Sequence, residues 1–120
     1  MRDHRKLKAF TLADQLVRDI YAATATFPHE EIFALTAQMR RAAVSVPANI
    51  VEGCARNSLK EYLNFLNMAF GSLRELGYYV HLAHRLGYLP ETEKSRLANL
   101  HDETCRVLSG LMQSLRRRQV

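Results

Sequence analysis

Residues 58–87 read SLKEYLNFLNMAFGSLRELGYYVHLAHRLG, and the reading of this run decides the fold. Ser58-Leu59-Lys60-Glu61 is a capping box: a serine oxygen and a glutamate three residues on each serve a backbone amide that no helical carbonyl reaches. Leu59, Leu63, Leu66, Phe70, Leu73 and Val80 follow at helical spacing. Gly87 stands where a left-handed C-cap would end the helix near Leu86. Tyr62, Phe65, Ala69, Leu76 and Tyr79 form a second apolar stripe beside the first. A helix with two apolar stripes is expected to be buried on two faces.

Working outward, the preceding segment repeats the pattern. A first helix is expected from about Lys8 to Ala25, with Phe10, Leu12, Ala13, Leu16, Val17 and Ile20 on its inner side. Phe27-Pro28 ends it, because a residue before proline is pushed out of the helical region. A second is expected from His29 to Cys54, with Glu30 and Glu31 in its first turn, where the helix dipole favours negative charge. Pro47 lies inside it, removes one amide donor and crowds the carbonyl of Ala43, so a kink is expected. Ser45 and Asn49 are close enough in sequence to serve the freed backbone groups. Downstream, Pro90 with Glu91 and Glu93 opens a fourth helix. Leu97, Leu100, Val107, Leu108, Leu111 and Leu115 make its stripe. With 5 Gly and 3 Pro in 120 residues, the chain has material for about three sharp reversals. Residues 1–120 therefore read as one all-α domain, an antiparallel up-down-up-down four-helix bundle. Its helices fall near 8–25, 29–54, 58–86 and 90–117, with short basic tails.

Composition narrows the class. Hydrophobic residues make up 48% and charged residues 24%, ordinary values for a globular chain. No apolar stretch follows MRDHRKLK, so no export signal is expected. The uncharged run AAVSVPANIV, residues 42–51, is too short to span a bilayer. Cys54 and Cys105 form no CxxC pair, and a cytoplasmic protein with reduced thiols is expected. The formal charge of +5 favours polyanionic partners.

Two placements follow from the bundle. Helices two and three are apolar on more faces than one bundle can cover. A homo-oligomer is therefore expected, with Val46, Pro47, Ile50, Tyr62, Phe65, Ala69 and Leu76 at its interface. In an up-down order, both termini and the turn between helices two and three share one end. That end collects Arg2, Arg5, Lys6, Lys8, Arg56, Lys60, Arg116, Arg117 and Arg118 against Asp3, Glu52 and Glu61. Glu30, Glu31, Glu91 and Glu93 gather at the other. Part of this asymmetry complements the helix dipoles, but the run Arg116-Arg117-Arg118 exceeds that need and suits phosphates.

Catalytic patterns are missing from the sequence. A carboxylate-bridged metal pair in a four-helix bundle needs Glu-x-x-His on two helices. Here Ala55 lies three residues after Glu52, and Tyr78 three after Glu75. His81 and His84 share a helix face without a carboxylate in register on that helix, and read as partly exposed polar residues. There is no P-loop or GxSxG motif. Arg40, Arg41, Glu52, Arg74 and Glu75 read as members of interhelical or intersubunit ion pairs. No enzyme activity, cofactor or metal is expected.

The stretch from Phe27 to Leu76 resembles the four-helix bundle proteins encoded within 23S rRNA intervening sequences of bacteria. The resemblance rests on Phe27-Pro28, Glu31, Leu35, Gln38, Arg40-Arg41, Ala43, Ser45, Pro47, Asn49-Ile50, Glu52-Gly53 and Arg56. It continues through Ser58, Glu61, Tyr62, Phe65, Ala69, Gly71-Ser72, Glu75 and Leu76. SVPANIVEG is its most specific element; helix four matches in general character. The resemblance implies an up-down bundle assembled into a ring-like homopentamer. A related branch, the accessory variability determinant proteins of diversity-generating retroelements, binds nucleic acid and a reverse transcriptase through a basic surface. By that analogy Arg40, Arg41, Arg56 and the terminal residues Arg2, Arg5, Lys6, Lys8, Arg116, Arg117 and Arg118 are candidate RNA or DNA contacts. Three readings follow. The first is a non-enzymatic, oligomeric nucleic-acid-binding accessory factor. The second is an interaction scaffold for a partner enzyme such as a reverse transcriptase. The third is a helix-turn-helix reader around Ser45–Ile50, which requires a true turn at Pro47.

Overall fold

A computed structural model gives the fold and describes residues 2–119. It has four helices, α1 (Lys8–Thr24), α2 (Leu35–Cys54), α3 (Leu59–Arg85) and α4 (Glu91–Arg117), and no strand among the described residues. Each helix packs on its neighbours in chain order, and α1 also packs on α4; the contact between α2 and α3 is the most extensive. At 1.5 Å per residue a helix of α3's length runs ~40 Å, so α3 and α4 set the long axis of a body measuring 47 × 24 × 20 Å.

The start and stop signals act much as their chemistry requires. The Ser58 hydroxyl accepts from the Glu61 amide at 3.1 Å. The glutamate half of the box differs from expectation, since its carboxylate accepts the serine hydroxyl at 3.1 Å. Gly87 has φ +84, and behind it the amide of Tyr88 reaches back to the carbonyl of Ala83 at 2.9 Å. That pairing satisfies a carbonyl of the last turn and needs the left-handed residue.

Two boundaries differ from the sequence reading. The second helix begins at Leu35 rather than His29, because His29–Glu31 close a separate 3-10 turn and Ala34 leaves helical geometry at φ −122, ψ −107. The amino-terminal basic segment is not a loose tail. His4–Lys6 form a 3-10 turn capped by Asp3, whose carboxylate accepts from the Arg5 amide at 3.0 Å.

Pro47 sits within a continuous α2, which removes the turn that a helix-turn-helix reader would need. The Asn49 side-chain amide donates to the Ser45 carbonyl at 2.8 Å, not to the Ala43 carbonyl that the proline deprives. Ser45 in turn meets Ser72 of α3 at 2.8 Å between hydroxyl oxygens.

The predicted oligomer interface is corrected by burial. Val46, Ile50, Tyr62, Ala69 and Leu76 are buried inside the single chain, while Pro47 and Phe65 are half-buried. Of the second stripe of α3, Tyr62, Ala69 and Leu76 are buried within the chain, while Phe65 and Tyr79 stay half-buried. The large apolar side chains that α2 and α3 show to solvent are Val44, Val51, Met68 and Tyr78.

Gly53 marks the tightest approach in this packing. A Cβ there would lie 2.9 Å from Phe65 Cβ and 3.1 Å from Tyr62 Cδ1. Neither is the far end of a flexible side chain. Gly53→Ala is expected to cost about 1–2 kcal/mol of unfolding free energy, the overpacking penalty less the helix preference of alanine. Urea denaturation followed by circular dichroism measures it; an unchanged midpoint would show that α3 yields freely.

Candidate nucleic-acid interface

The end of the bundle holding the α2–α3 turn is built around the first turns of α3. Tyr62 and Phe65 are one turn apart, pressed against α2 beside Gly53, and each carries a guanidinium on its face. Arg2 lies 4.2 Å above the Tyr62 ring and Arg56 4.8 Å above that of Phe65. The two arginines are tied together, because Arg2 Nη1 donates to the Arg56 carbonyl at 2.9 Å. The Arg2 amide also donates to the Cys54 carbonyl at 3.2 Å, bringing the amino-terminal segment onto the end of α2. Arg56 further pairs with Glu52 one turn back. Its Nε is buried with no hydrogen-bond partner among the described residues.

Burial pushes the Tyr62 hydroxyl up to about 12, with the neighbouring Cys54 adding to the rise and Arg2 and Arg118 opposing it. Arg118, the C-cap of α4, follows Arg116, whose guanidinium reaches Asn67 of α3. Burial likewise raises the Cys54 thiol, and that of Cys105 on α4. Both cysteines are free, and thiols held protonated are poor nucleophiles.

The other predicted cations at this end divide into two groups. Arg5 is paired with Asp3 at 2.9 Å, Lys8 with Glu103 at 3.7 Å, and Arg116 donates to Asn67 at 3.1 Å. Lys6, Lys60, Arg117 and Arg118 are exposed and have no ion pair among the described residues. The structure thus brings Arg2, Arg5, Lys6, Arg56, Arg116, Arg117 and Arg118 to this end, whereas Lys8 reaches Glu103, about four helical turns (~20 Å) before the end of α4.

Arg40 and Arg41 stand apart from them. They lie about four helical turns from the end of α2, ~20 Å along its axis. Their guanidinium groups are engaged within the bundle. Arg40 covers the Tyr21 ring at 4.5 Å and donates to Thr24 Oγ1 at 2.9 Å, clasping the end of α1. Arg41 pairs with Glu75 across the α2–α3 seam and donates to Gln38, as an interhelical ion-pair reading anticipates. Glu52 differs from that reading, because its partner Arg56 is on its own side of the turn. The sequence reading also missed the partner of His84: its Nε2 is 2.9 Å from a carboxylate oxygen of Glu91 on α4. No group of three or more His, Cys, Asp or Glu side chains among the described residues is placed to hold a metal ion. No helix of the described residues is long and apolar enough to cross a membrane.

The profile of the 23S rRNA-intervening sequence protein family matches residues 5–110. The chain belongs to this family. A solved structure of the same fold is that of a protein of unknown function from the S23 ribosomal protein family of Bacteroides thetaiotaomicron. It superposes with a TM-score of 0.79 over 88% of this chain and 95% of the other, at 22% identity. That likeness establishes the fold and nothing about activity. No functionally curated protein matches the chain. Family membership thus accounts for the bundle, while the chemistry of the basic end rests on the side chains themselves.

The Arg41–Glu75 pair offers a direct test of this geometry. The Tyr79 hydroxyl, donating to Glu75 at 2.5 Å, and then the Arg41 guanidinium hold the Glu75 carboxyl below its ordinary 4.5. A depressed carboxylate stabilises the fold above its unfolded pKa, and that contribution fades as pH falls through the folded value. The Glu75 carboxyl carbon, followed by NMR, should titrate below the ordinary value of a glutamate. Tyr79→Phe should move its midpoint upward, and an unmoved midpoint would rule the hydroxyl out as the cause.

Proposed function

We propose that this protein is a non-enzymatic accessory factor that binds structured RNA, or an RNA–DNA intermediate, through the basic end of the bundle. The observation that carries the reading is the set Lys6, Lys60, Arg117 and Arg118, cations without ion pairs among the described residues. They surround two arginines already held on aromatic rings. Unpaired cations release phosphate counterions on binding, whereas cations already in ion pairs contribute less. Recognition would be of phosphates, with no base readout, since Tyr62 is buried under Arg2 and offers no face for stacking.

The reading includes an antiparallel, up-down-up-down order of helices. It is supported by pairs whose numbers fall on one helix as they rise on the next: Arg41 with Glu75, Ser45 with Ser72, Cys54 with Tyr62. It also includes a ring-like homo-oligomer acting in the cytoplasm, with the pentamer that the family resemblance implies as its stoichiometry. A second reading, a scaffold that presents the bundle to a partner enzyme such as a reverse transcriptase, is favoured by the solvent-facing Val44, Val51 and Met68 on α2 and α3.

Fluorescence anisotropy with a structured RNA and a DNA duplex, at low and physiological salt, separates these readings. Binding should weaken steeply with salt, and Arg117→Glu with Arg118→Glu should weaken it at least tenfold and flatten the salt slope. Arg40→Gln should leave affinity within about twofold. Absence of binding at low salt would remove the first reading and leave the scaffold.

A further inference from the structure

Phe33 is 95% exposed, an entire benzyl group standing in water on the turn between α1 and α2. Ile32 beside it is 41% exposed. The same turn is acidic. The Glu31 carboxylate is held by the Tyr88 hydroxyl at 2.8 Å, which leaves the exposed Glu30 as the charge next to the knob.

Across the bundle, α3 and α4 leave a groove of about 370 Å³. Its floor is the backbone at Gly77 with the His101 ring laid against it; a Cβ at that glycine would sit 2.7 Å from the ring. The ring is pinned, because its Nε2 lies 2.7 Å from the Leu73 carbonyl oxygen. Tyr78, 60% exposed, forms one wall and Ala98 lies on the other. Arg74 and Lys94 make the rim cationic, with His81 beside them and Asp102 as its acid.

Knob and groove lie on opposite sides of the bundle, one between α1 and α2, the other between α3 and α4. Their heights are similar. Arg41 is level with Glu75, so Phe33, eight residues earlier, is level with about residue 83 of α3, ~8 Å above Tyr78. We propose that the groove between α3 and α4 receives the Phe33 turn of a second copy of this chain. The apolar knob enters between Tyr78 and Ala98, and Glu30 meets the cationic rim of Arg74 and Lys94. Because the two surfaces differ, each contact leaves a knob and a groove open, and assembly continues until a ring closes. The proposal rests on the homo-oligomer reading above and assigns its interface to surfaces that the buried α2 and α3 residues cannot supply.

Subunit complementation tests it. Phe33→Asp removes the knob and keeps the groove; Ala98→Trp fills the groove and keeps the knob. By light scattering at micromolar concentration, wild type is expected at a multiple of 13.8 kDa and each variant alone at the monomer mass. An equimolar mixture is expected to contain two-chain particles, joined by the one intact knob and groove. Circular dichroism checks that the variants fold, and the pair Arg74→Glu with Lys94→Glu replaces Ala98→Trp if that variant does not. A Phe33→Asp protein that assembles like wild type overturns the proposal and leaves the oligomer reading standing. A wild type that stays at 13.8 kDa overturns both.

Discussion

The close approach of α2 and α3 at Gly53 is the constraint on which the rest depends. Without a side chain at that position, the Tyr62 and Phe65 rings can press against the α2 backbone rather than splay the helices. Pressed there, they bury part of the second apolar stripe of α3 and present one turn of aromatic surface at the end of the bundle. Arg2 and Arg56 are held on that surface. The same helix contact that closes the core thus fixes two guanidinium groups, with part of their ordering cost met by folding. Surface arginines normally lose rotamer freedom when they bind an anion; these two have already lost it.

Farther along the seam the chemistry changes from apolar to polar. Ser45 and Ser72 share a hydrogen bond, Arg41 pairs with Glu75, and Tyr79 completes that site. These groups mark the register of α2 on α3, although an ion pair as exposed as Arg41–Glu75 adds little stability of its own. Arg40 does the same for α1 through Tyr21 and Thr24. The cations of the bundle therefore divide by place: those in the middle of α2 are spent on helix pairing, and those at the end of the bundle are in part left over.

The sequence was informative wherever a local rule had a local cause. The Ser58 cap, the Gly87 stop and the periodicities of α1, α3 and α4 all depend on residues within a few positions of each other, and they appear in the structure as read. The start of α2 was misplaced because Glu30 and Glu31 suit the opening of either a 3-10 turn or a helix, and the break at Ala34 carries no Gly or Pro to announce it. The interface residues were misassigned for a different reason. Periodicity shows that α3 has two apolar stripes but not which neighbour covers the second, and α2 was near enough to do so. The groove beside His101 was equally illegible, as it needs Gly77 on one helix to face a histidine on another. The aromatic seats of Arg2 and Arg56 escaped notice too, though an arginine at the end of one helix and rings in the first turns of the next are a usable signal.

Side-by-side association at similar heights has an electrostatic consequence for the basic end. If the turn carrying Phe33 docks beside Tyr78 of the next subunit, the bundles stand in one direction and every basic end faces the same way. Within a ring, the unpaired cations of neighbouring subunits would then lie on one surface rather than at scattered points. Like charges brought together repel, at a cost that rises as salt falls. A polyanion that bridges several subunits relieves that repulsion at each of them, so the array favours it over a short one that reaches one. Phosphates tethered on a single strand raise each other's effective concentration at such a surface. The knob and groove between α helices of adjacent copies, which touch no nucleic acid themselves, would in this way set how long a strand the basic face holds.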